Sequence, residues 1–420
     1  MAVREALDRK RGCLPLVSER LGRLVCARMQ DGSSSARRPT ILYLVAEDWY
    51  FLLHRLPMAR AAAAAGYQVH VAAHLNKDRS AIEALGFTVH PLNWRRGSLN
   101  PLDIVAIVRD IRRLYVRLKP DVIHHIALQP ILIGSIAALG LPVVTLNSLV
   151  GLGFAFTSSQ PKALLVRLLF KALLPRLMNR PHRAVTVENT DDKALLGALG
   201  VHADAVFVLP GSGVDVGRLT PLAEPTGPTA VAYVGRLLGN KGVRTLVAAH
   251  DLLQRRGVQV RLLMAGAPDP ANPTSVLGAE IESWKQRPGI SMLGYVTDVS
   301  TVWRSAHIAV LASRGGEGLP VSLLEAAACG RPLVATNIPG CREIARPGVN
   351  AILVPVDDAE ALADAIGRLA ADPDLRRRFG EAGRRIVETE YSSDIVGREV
   401  VALYDRLSGR EPDRRALETP

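Results

Sequence analysis

The chain of 420 residues has few cysteines and few aromatic side chains. Cys13, Cys26, Cys329 and Cys341 show neither a CxxC spacing nor a Cys/His pattern, so the sequence predicts a reduced compartment without structural zinc. Aromatic residues make up 5% of the chain, and none cluster with the arginines. Because nucleic-acid-binding surfaces usually combine basic charge with aromatic stacking platforms, this composition argues against nucleic acid as a partner.

A secretory signal is also missing, since the N-terminus alternates arginines with short apolar runs. Residues 126–156 contain no Asp, Glu, Lys or Arg, and a segment of that length is able to cross a bilayer. Proline and glycine divide it into short pieces. We therefore predict a buried helix (131–140), a buried strand (142–147) and a glycine-rich loop, not a membrane span.

Basic residues, in contrast, are in excess. Lys and Arg number 52 against 40 Asp and Glu, for a net charge of +12. The excess lies in the first half of the chain, because the net charge is +5 over residues 1–39, +6 over 40–215 and only +1 over 216–420. This distribution favours an anionic partner, either a phosphorylated substrate or an acidic membrane surface.

Short β-branched segments alternate with helical patterns along most of the chain. Two successive β-α-β series predict an α/β protein with two doubly wound, Rossmann-like domains and a ligand cleft at the carboxyl ends of their strands. The predicted divisions are a basic N-terminal extension (1–39), a first Rossmann-like domain (40–215), a Pro-rich linker (216–228), a second Rossmann-like domain (229–391), a helix crossing back to the first domain (392–408) and a tail (409–420).

The segment 313–330, SRGGEGLPVSLLEAAACG, has the most specific pattern for ligand binding. A predicted strand ends just before it, and a glycine-rich loop leads to Pro320 at the start of a helix, where free N–H groups bind anions. Glu317 in the loop and Glu325 on the helix would flank a bound phosphate and accept hydrogen bonds from hydroxyl groups, as a nucleotide-sugar requires. Alternatively, Glu317 only stabilises the helix start and Glu325 faces solvent; this segment alone leaves both open.

A second segment, VGRLLGNKG (234–242), follows the first strand of the second domain. Gly235 permits close approach of the backbone, and Arg236 and Lys241 place two cations at the same sheet edge as Glu317. Such cations neutralise a diphosphate leaving group, which predicts a site that works without a metal ion or other cofactor. The alternative is an ordinary loop with surface cations.

These two segments carry a family resemblance. EGLPVSLLEAAACGRPLVAT resembles the E-x7-E region of retaining glycosyltransferases of family four, which have the GT-B fold, and VGRLLGNKG resembles their diphosphate loop. The resemblance extends from about Ile41 to Leu407. Further stretches, such as VENTDDKALL and LPGSGVD, are similar to a bacterial group that transfers sugars, often N-acetylhexosamines, to polyprenyl-diphosphate-linked acceptors.

The resemblance implies roles in the second domain. Glu317 would contact the donor sugar, and Arg236 and Lys241 would stabilise the departing diphosphate, so these three are catalytic candidates. Glu325 would hold the ribose hydroxyls. The complete set of donor-binding candidates, which contact ribose, phosphate, sugar or base, is Glu325, Gly235, Gly318, Leu319, Pro320, Tyr295 and Val296.

In the first domain, the resemblance implies a catalytic histidine that faces the sugar across the cleft. Family members have His-x-His there, whereas this chain has adjacent His124 and His125, so which one faces the donor stays open. Many relatives have Gly-Gly after the first strand, where this chain has Glu47–Phe51. That loop serves the acceptor, with His54 and Arg55 as candidate ligands of its phosphate, or it is a packed aromatic turn.

Residues 160–183 contain six Lys or Arg and no acidic residue, with leucines at helical spacing. A basic amphipathic helix of this kind binds the surface of an anionic bilayer. The alternative is a helix whose leucines pack on the first sheet. The 1–29 extension is a second candidate anchor.

Together these features predict a retaining glycosyltransferase that moves a hexose or N-acetylhexosamine from a nucleotide-sugar, most simply a UDP-sugar, to a lipid-linked polyprenyl-diphosphate saccharide. The expected location is cytoplasmic, at the inner face of the cell membrane. A transferase acting on a phosphatidylinositol or a soluble acceptor is the alternative within the same class. A non-catalytic nucleotide-sugar-binding scaffold is the alternative from another class.

Overall fold

The computed structural model describes residues 37–94, 100–151, 161–270 and 272–410, with side chains omitted for 161–167, 169 and 170. These residues form two parallel β-sheets, each flanked by helices. The predicted N-terminal extension lies almost entirely outside the described residues, as do the predicted tail beyond residue 410 and most of the glycine-rich loop that follows Leu149.

The first sheet has seven parallel strands in the order β3-β2-β1-β4-β5-β6-β7. Its strands are β1 (Thr40–Glu47), β2 (Gln68–His74), β3 (Thr88–Pro91), β4 (Val122–Ile126), β5 (Val144–Leu149), β6 (Arg183–Val187) and β7 (Val206–Val208). The helices of this part are α1 (Asp48–His54), α2 (Leu56–Ala64), α3 (Arg79–Glu83), α4 (Pro101–Leu118), α5 (Leu128–Ala137), α6 (Pro161–Met178) and α7 (Thr190–Ala198). The central strands are buried on both faces, which explains their nearly continuous apolar sequence.

The second sheet has six parallel strands in the order β10-β9-β8-β11-β12-β13. Its strands are β8 (Thr229–Val234), β9 (Val260–Ala265), β10 (Ile290–Gly294), β11 (Ile308–Leu311), β12 (Leu333–Thr336) and β13 (Ala351–Val354). Its helices are α8 (Val243–Arg255), α9 (Gly278–Lys285), α10 (Ser300–Arg304), α11 (Val321–Ala328), α12 (Pro339–Ile344), α13 (Ala359–Ala371) and α14 (Pro373–Ile386). One hydrophobic core unites both faces of this sheet.

The last helix, α15 (Ser393–Ser408), packs on the first domain although it follows the second in sequence. Val396 and Val400 belong to the same hydrophobic core as the helix α2. The hydroxyl of Tyr404 lies 3.0 Å from that of Tyr43 on β1 and 2.7 Å from Nδ1 of His124 on β4. The helix α15 is therefore part of the first domain's interior.

The predicted fold class, two Rossmann-like doubly wound domains, is confirmed by these sheets. The loop expected at Glu47–Phe51 is instead the helix α1, because the carboxylate of Asp48 accepts hydrogen bonds from the backbone N–H of Trp49, Asn76 and Asp78. The charge-free segment forms α5 and β5, close to the predicted positions. In the described part of the chain, no helix combines the length and the apolar character that a bilayer crossing needs.

Candidate active site

The side chains of Lys241 and Glu317 form the centre of the site at the carboxyl edge of the second sheet. The Nζ atom of Lys241 donates to both carboxylate oxygens of Glu317, at 2.8 and 2.7 Å. The hydroxyl of Ser313 donates to Oε1 of Glu317 at 2.6 Å. The carboxylate is nearly buried, and the ammonium group remains 23% exposed. The sequence predicted that both side chains lie at this edge, and the structure brings them together.

A glycine explains how Lys241 reaches Glu317. Gly242 has a φ of +68°, and a Cβ atom there would lie 1.7 Å from the carbonyl oxygen of Ala312. Only a residue without a side chain allows the turn at Gly239–Lys241 to press against the end of β11. The first turn after β8 is thereby fixed beside the loop that follows β11.

The helix α11 begins directly behind this pair. Pro320 occupies its N-cap position with an extended backbone, as the sequence predicted, and the preceding residues Gly318 and Leu319 cross the entrance to the cleft. A helix start carries partial positive charge and free N–H groups. An anion bound near Lys241 would therefore have a second source of positive potential.

Arg236 lies at the same edge but has a different partner. Its Nη1 atom donates to Asp269 at 2.7 Å, and the side chain is 48% exposed. The backbone carbonyl of Arg236 accepts a hydrogen bond from the hydroxyl of Tyr233 at 2.6 Å, and Gly235 precedes it in a conformation with a φ of +155°. The guanidinium group is therefore held at the rim of the cleft, where a diphosphate could exchange with Asp269.

Glu325, one turn into α11, has an unusual environment for a carboxylate. It is half-buried, and no hydrogen bond to its carboxylate occurs within the described part of the chain. Burial raises its pKa to about 7, and the nearby Arg218 only partly opposes this effect. An acidic group without a partner at the cleft is suited to accept hydrogen bonds from hydroxyl groups of a ligand.

Tyr295 and Val296 follow the end of β10, on the far side of the same sheet edge. Tyr295 is 73% exposed, whereas Val296 packs partly against the core of the second domain. The structure thus leaves the ring of Tyr295 accessible where the base was predicted to bind.

The first domain contacts this site through the residues that follow β6. The buried carboxylate of Glu188 accepts a hydrogen bond from the backbone N–H of Leu319 at 2.9 Å, and Asn189 donates to the carbonyl oxygen of Gly318 at 3.1 Å. A Cβ atom on Gly318 would lie 2.1 Å from Glu188. Two hydrogen bonds from the first domain therefore hold the loop at Gly318–Leu319. This is the loop that was predicted to bind the donor sugar.

Arg55 is the counter-ion of Glu188. Its Nη2 atom lies 3.3 Å from the Glu188 carboxylate, and its Nη1 atom donates to the hydroxyl of Ser212 at 3.0 Å. Arg55 is 2% exposed. This placement corrects the expectation of a cleft-facing phosphate ligand, because the guanidinium group is buried and already paired. Burial raises the pKa of Glu188, and Arg55 opposes that rise.

His54 precedes Arg55, and its ring packs against that of Tyr50, with the ring centres 4.7 Å apart and the planes tilted by 49°. Burial, together with the positive charges of Arg55, Arg236 and Lys241, lowers its pKa to about 3. The imidazole is therefore neutral near pH 7. It thus remains a candidate acceptor ligand as a hydrogen-bonding group and not as a cation.

His124 and His125 do not face the cleft. Both are fully buried in β4, and each uses both ring nitrogens. His124 contacts Tyr404 and Ser148, whereas His125 contacts Tyr115 and Asn147 at 2.8 Å each. Burial holds both pKa values far below the ordinary histidine range. Both histidines thus belong to the interior network of the first domain, and contact of either one with the donor sugar stays a prediction.

Several residues of the site were not singled out from the sequence. Glu188 and Asn189 lie at the end of a strand in a stretch that shows the family resemblance, but no local pattern gave them a role. Ser313 lies only four residues before its partner Glu317, in a segment whose pattern predicted ligand binding but gave this hydroxyl no role. Asp269 is 33 residues away from its arginine partner in sequence. Among the residues that the structure describes, no three His, Cys, Asp or Glu side chains are grouped as a metal site requires.

Comparison with solved structures supports the class that the fold and site define. The chain is similar to sucrose-phosphate synthase from Thermosynechococcus elongatus, with a TM-score of 0.75 and 21% identity over 88% of this chain and 99% of the other. It is also similar to HepE from Anabaena, with a TM-score of 0.68 and 17% identity over 87% and 98%. These similarities show that the chain has the GT-B fold.

Family models match both domains. The model described as "Glycosyl transferase 4-like" matches residues 40–180, and the model described as "Glycosyl transferases group 1" matches residues 228–372. The chain belongs to the glycosyltransferases that these two models describe, which confirms the family resemblance of its sequence.

The chain matches several glycosyltransferases from bacteria, and the share of each relative's length that is covered differs. A diacetylbacillosaminyl-diphospho-undecaprenol N-acetylgalactosaminyltransferase from Campylobacter jejuni is 24% identical over 84% of this chain and 95% of its own length. A phosphatidyl-myo-inositol mannosyltransferase from Mycobacterium leprae is 29% identical over 84% and 92%. The capsular polysaccharide glycosyltransferase CapM from Staphylococcus aureus is 27% identical, but the match spans only 45% of its length.

Proposed function

We propose that this glycosyltransferase transfers a hexose or N-acetylhexosamine from a UDP-sugar to a lipid-linked saccharide, with retention of configuration and without a metal ion. The observation that carries the proposal is the Lys241–Glu317 pair at the start of α11, opposite the first domain. It combines a cation for the diphosphate with a carboxylate for the sugar. Such a product is an intermediate of surface polysaccharide or glycan synthesis.

Charge stabilisation is the main catalytic effect in this proposal. The bond between the anomeric carbon and the diphosphate oxygen breaks while the acceptor hydroxyl oxygen bonds to the same face of that carbon. The hydroxyl proton passes to the departing phosphate oxygen. Lys241, Arg236 and the helix start stabilise the negative charge that develops on the diphosphate. Glu317 orients the sugar, and Glu325 holds the ribose.

A UDP-sugar is the proposed donor because HepE, which shares the fold, has been crystallised with UDP-glucose. The exposed ring of Tyr295 offers a surface for a base.

A polyprenyl-diphosphate-linked acceptor is supported by the Campylobacter relative, whose name includes diphospho-undecaprenol. The Mycobacterium relative favours a phosphatidylinositol as the second candidate acceptor. Organic extraction and mild acid separate the two products, since a polyprenyl diphosphate is acid-labile.

A surface on α4 supports the proposed contact with an anionic membrane. Leu102, Val105 and Val116 are 77%, 65% and 52% exposed along one stripe of the helix. Arginines 109, 113 and 117 are exposed between and beside them. A stripe of apolar and basic side chains is the pattern of a helix that lies at a bilayer surface.

The described side chains of the helix α6, which the sequence favoured as the membrane contact, give less support for membrane binding than those of α4. Leu168 and Leu173 are 66% and 37% exposed, but Leu174 and Leu177 pack inside the first domain. The side chains of its first two turns, Leu164 and Leu165 included, lie outside the described residues. The exposed leucines and Lys171 add to the proposed membrane surface, but they are not sufficient to form it by themselves.

Substitution of Lys241 or Glu325 tests the proposed function. We expect Lys241→Ala and Glu325→Ala to lower transfer at least about 100-fold, because each removes an interaction with the donor that strengthens catalysis. The measurement is transfer from a panel of radiolabelled UDP-sugars to a membrane extract, with and without EDTA. Lys285→Ala is the matched control and should keep full activity, because this exposed lysine lies at the end of α9 and pairs with Glu282.

Folding of the variants is checked by circular dichroism and melting temperature. Wild-type turnover by both variants would refute the site. Loss of wild-type activity in EDTA would refute the proposed independence from a metal ion.

A further inference from the structure

Each of the two cations that would bind the diphosphate is held by a carboxylate from a neighbouring loop. The strand β8 lies between β9 and β11, so the loop after β8, which carries both cations, is flanked by the loops after those two strands. Glu317 in the loop after β11 binds Lys241, and Asp269 in the loop after β9 binds Arg236. The arrangement around Arg236 is therefore equivalent to the one around Lys241.

The loop after β9 is bound at both of its ends to the loop that carries the cations. The backbone N–H of Leu237 donates to the carbonyl oxygen of Ala267 at 3.0 Å, and that of Gly239 donates to Thr274 at 2.7 Å. Gly266 allows this close approach, because its φ is +149° and a Cβ atom there would lie 1.8 Å from a carbonyl oxygen of the cation loop. The backbones that carry the arginine and its carboxylate partner are thereby fixed relative to each other.

Asp269 occupies only part of the hydrogen-bonding capacity of Arg236. A guanidinium group has five N–H donors in one plane, and Asp269 accepts from one of them, on Nη1, at 2.7 Å. In the described part of the chain, the guanidinium group makes no other hydrogen bond, and the side chain is 48% exposed. The remaining donors can therefore bind phosphate oxygens while the contact with Asp269 persists.

We infer that Asp269 is a positioning residue for the transfer reaction, which holds the Arg236 guanidinium group in the orientation that stabilises the departing diphosphate. The inference rests on the proposed function, in which Arg236 has that role. Because the Asp269 side chain is only 17% exposed, its attraction for Arg236 is stronger than that of a surface pair. A cation that is oriented in advance needs no rearrangement while the charge develops on the leaving group.

Displacement of Asp269 by the diphosphate is the opposite possibility, and it predicts a different result. If the carboxylate only competed with the donor for Arg236, its removal would tighten donor binding and leave the rate of transfer unchanged. A positioning role predicts that the rate falls and that donor binding changes little.

Asp269→Ala separates these two possibilities. We expect the apparent kcat at saturating donor to fall at least about tenfold, because the guanidinium group loses its orientation. The Kd of UDP should stay within about threefold of wild type, since the lost orientation and the lost negative charge have opposite effects on binding. Asp269→Asn keeps an oxygen that accepts from Nη1, so its apparent kcat should stay within about threefold of wild type.

The apparent kcat is measured with a radiolabelled UDP-sugar that wild type transfers to a membrane extract, and the Kd by calorimetric titration with UDP. Asp364→Ala is the matched control and should keep full activity. It removes a carboxylate that also lies 2.7 Å from an exposed arginine, Arg256, but at the end of α8 and hence at the opposite edge of the sheet. Melting temperatures show whether each variant is folded.

A double variant tests whether Asp269 acts through Arg236. We expect Arg236→Ala to lower the apparent kcat at least about 100-fold, as loss of a donor to the leaving group does. Adding Asp269→Ala to Arg236→Ala should not lower it further, because two residues that act through one contact are not additive.

The inference is overturned if Asp269→Ala keeps the wild-type apparent kcat, if it binds UDP at least about tenfold more tightly, or if Asp269→Asn loses as much activity as Asp269→Ala. It is also overturned if Asp269→Ala lowers the apparent kcat by the same factor with and without Arg236, as a merely structural effect would. Failure of the proposed function has a different signature: Arg236→Ala itself would keep the wild-type apparent kcat.

Discussion

Glu317 holds the ammonium group of Lys241 in place before any substrate arrives. A lysine side chain has three N–H donors, and the two contacts with Glu317 leave one of them for a phosphate oxygen. Because both groups are mostly shielded from water, their attraction is stronger than that of a surface ion pair. The cation is thus positioned in advance, which is the condition under which electrostatic stabilisation of a leaving group is most effective.

The raised pKa of Glu325 predicts a pH dependence of donor binding. Its carboxylate accepts ribose hydroxyls only when ionised, and its pKa is about 7 in the free protein. We expect the affinity for UDP to decrease as the pH falls from 8 to 6 in wild type. In Glu325→Gln the affinity should be lower at pH 8 and nearly independent of pH. Calorimetric titration with UDP at several pH values measures both.

The raised pKa of Glu325 also affects the stability of the fold. Ionisation of a carboxylate in an ordinary ion pair increases stability, whereas ionisation of Glu325 decreases it. The folded protein binds the proton of Glu325 more tightly than the unfolded chain, so stability is lost as the pH rises from about 4.5 toward 7. Glu325→Gln should therefore raise the melting temperature at pH 8 more than at pH 5. An equal effect at both pH values would contradict the raised pKa.

Individual residues show where inference from sequence stops. The positions of Glu317, Lys241 and Pro320 followed from loops at strand ends, because a parallel sheet brings those loops together. The burial of His124 could not be predicted in this way, because its partner Tyr404 is 280 residues away in sequence. A histidine near a strand end looks the same in sequence whether it meets a ligand or a tyrosine from a distant helix.

Among the secondary-structure elements, α4 combines two properties that are rarely found on a purely structural helix. Its buried face, with Ile111 and Leu114, packs on the first sheet. Its opposite face exposes large apolar side chains, although exposure of a single such residue would be ordinary. Asn100 caps the helix by accepting from the N–H of Leu102, which fixes Leu102 at the exposed first turn.

This face predicts the effect of two substitutions on membrane binding. Leu102→Ser together with Val105→Ser should reduce binding to anionic phospholipid vesicles at least about tenfold, because both apolar side chains would lie in the bilayer interface. Flotation with vesicles of phosphatidylglycerol and phosphatidylethanolamine measures binding. Leu277→Ser, which removes an equally exposed leucine from the second domain, is the control. Unchanged flotation of the double variant would exclude α4 as the contact.

The sequence pointed to α6 for this role through charge and leucine spacing alone, and no such role was predicted for α4. Apolar side chains at helical spacing occur in both helices, and only the packed structure shows which of them face the sheet. The segment at α1 shows the same limit. Its aromatic residues resembled a turn, whereas the helix depends on Asp48 and its hydrogen bonds to the loop after β2.

At the scale of the whole molecule, the domains are joined by more than the linker at 216–228. The helix α15 returns to the first domain, and Glu188 and Asn189 bind the loop at Gly318–Leu319. An exposed ion pair between Arg342 and Asp191 adds a third contact. The donor loop is consequently shaped by both domains, although all of its own residues belong to the second.

Substitution of Glu188 tests whether this contact positions the donor loop or only stabilises the fold. Glu188→Ala removes the acceptor of the Leu319 N–H group and leaves Arg55 buried without its counter-ion, a loss of about 3–5 kcal/mol for a buried pair. We expect a lower melting temperature and a raised KM for the donor. Glu188→Gln keeps one acceptor oxygen and should have smaller effects on both.

The double variant Glu188→Ala/Arg55→Met separates the two effects, because it removes the unpaired charge but does not restore the hydrogen bond to Leu319. Its melting temperature should recover most of the loss, as replacing a buried pair by an apolar side chain often costs little. Its donor KM should stay raised, because the loop at Gly318–Leu319 still lacks its acceptor from the first domain. Recovery of the KM together with stability would show that Glu188 acts through folding alone, and the hydrogen bond from Asn189 to Gly318 would then remain as a link from the first domain to the donor loop.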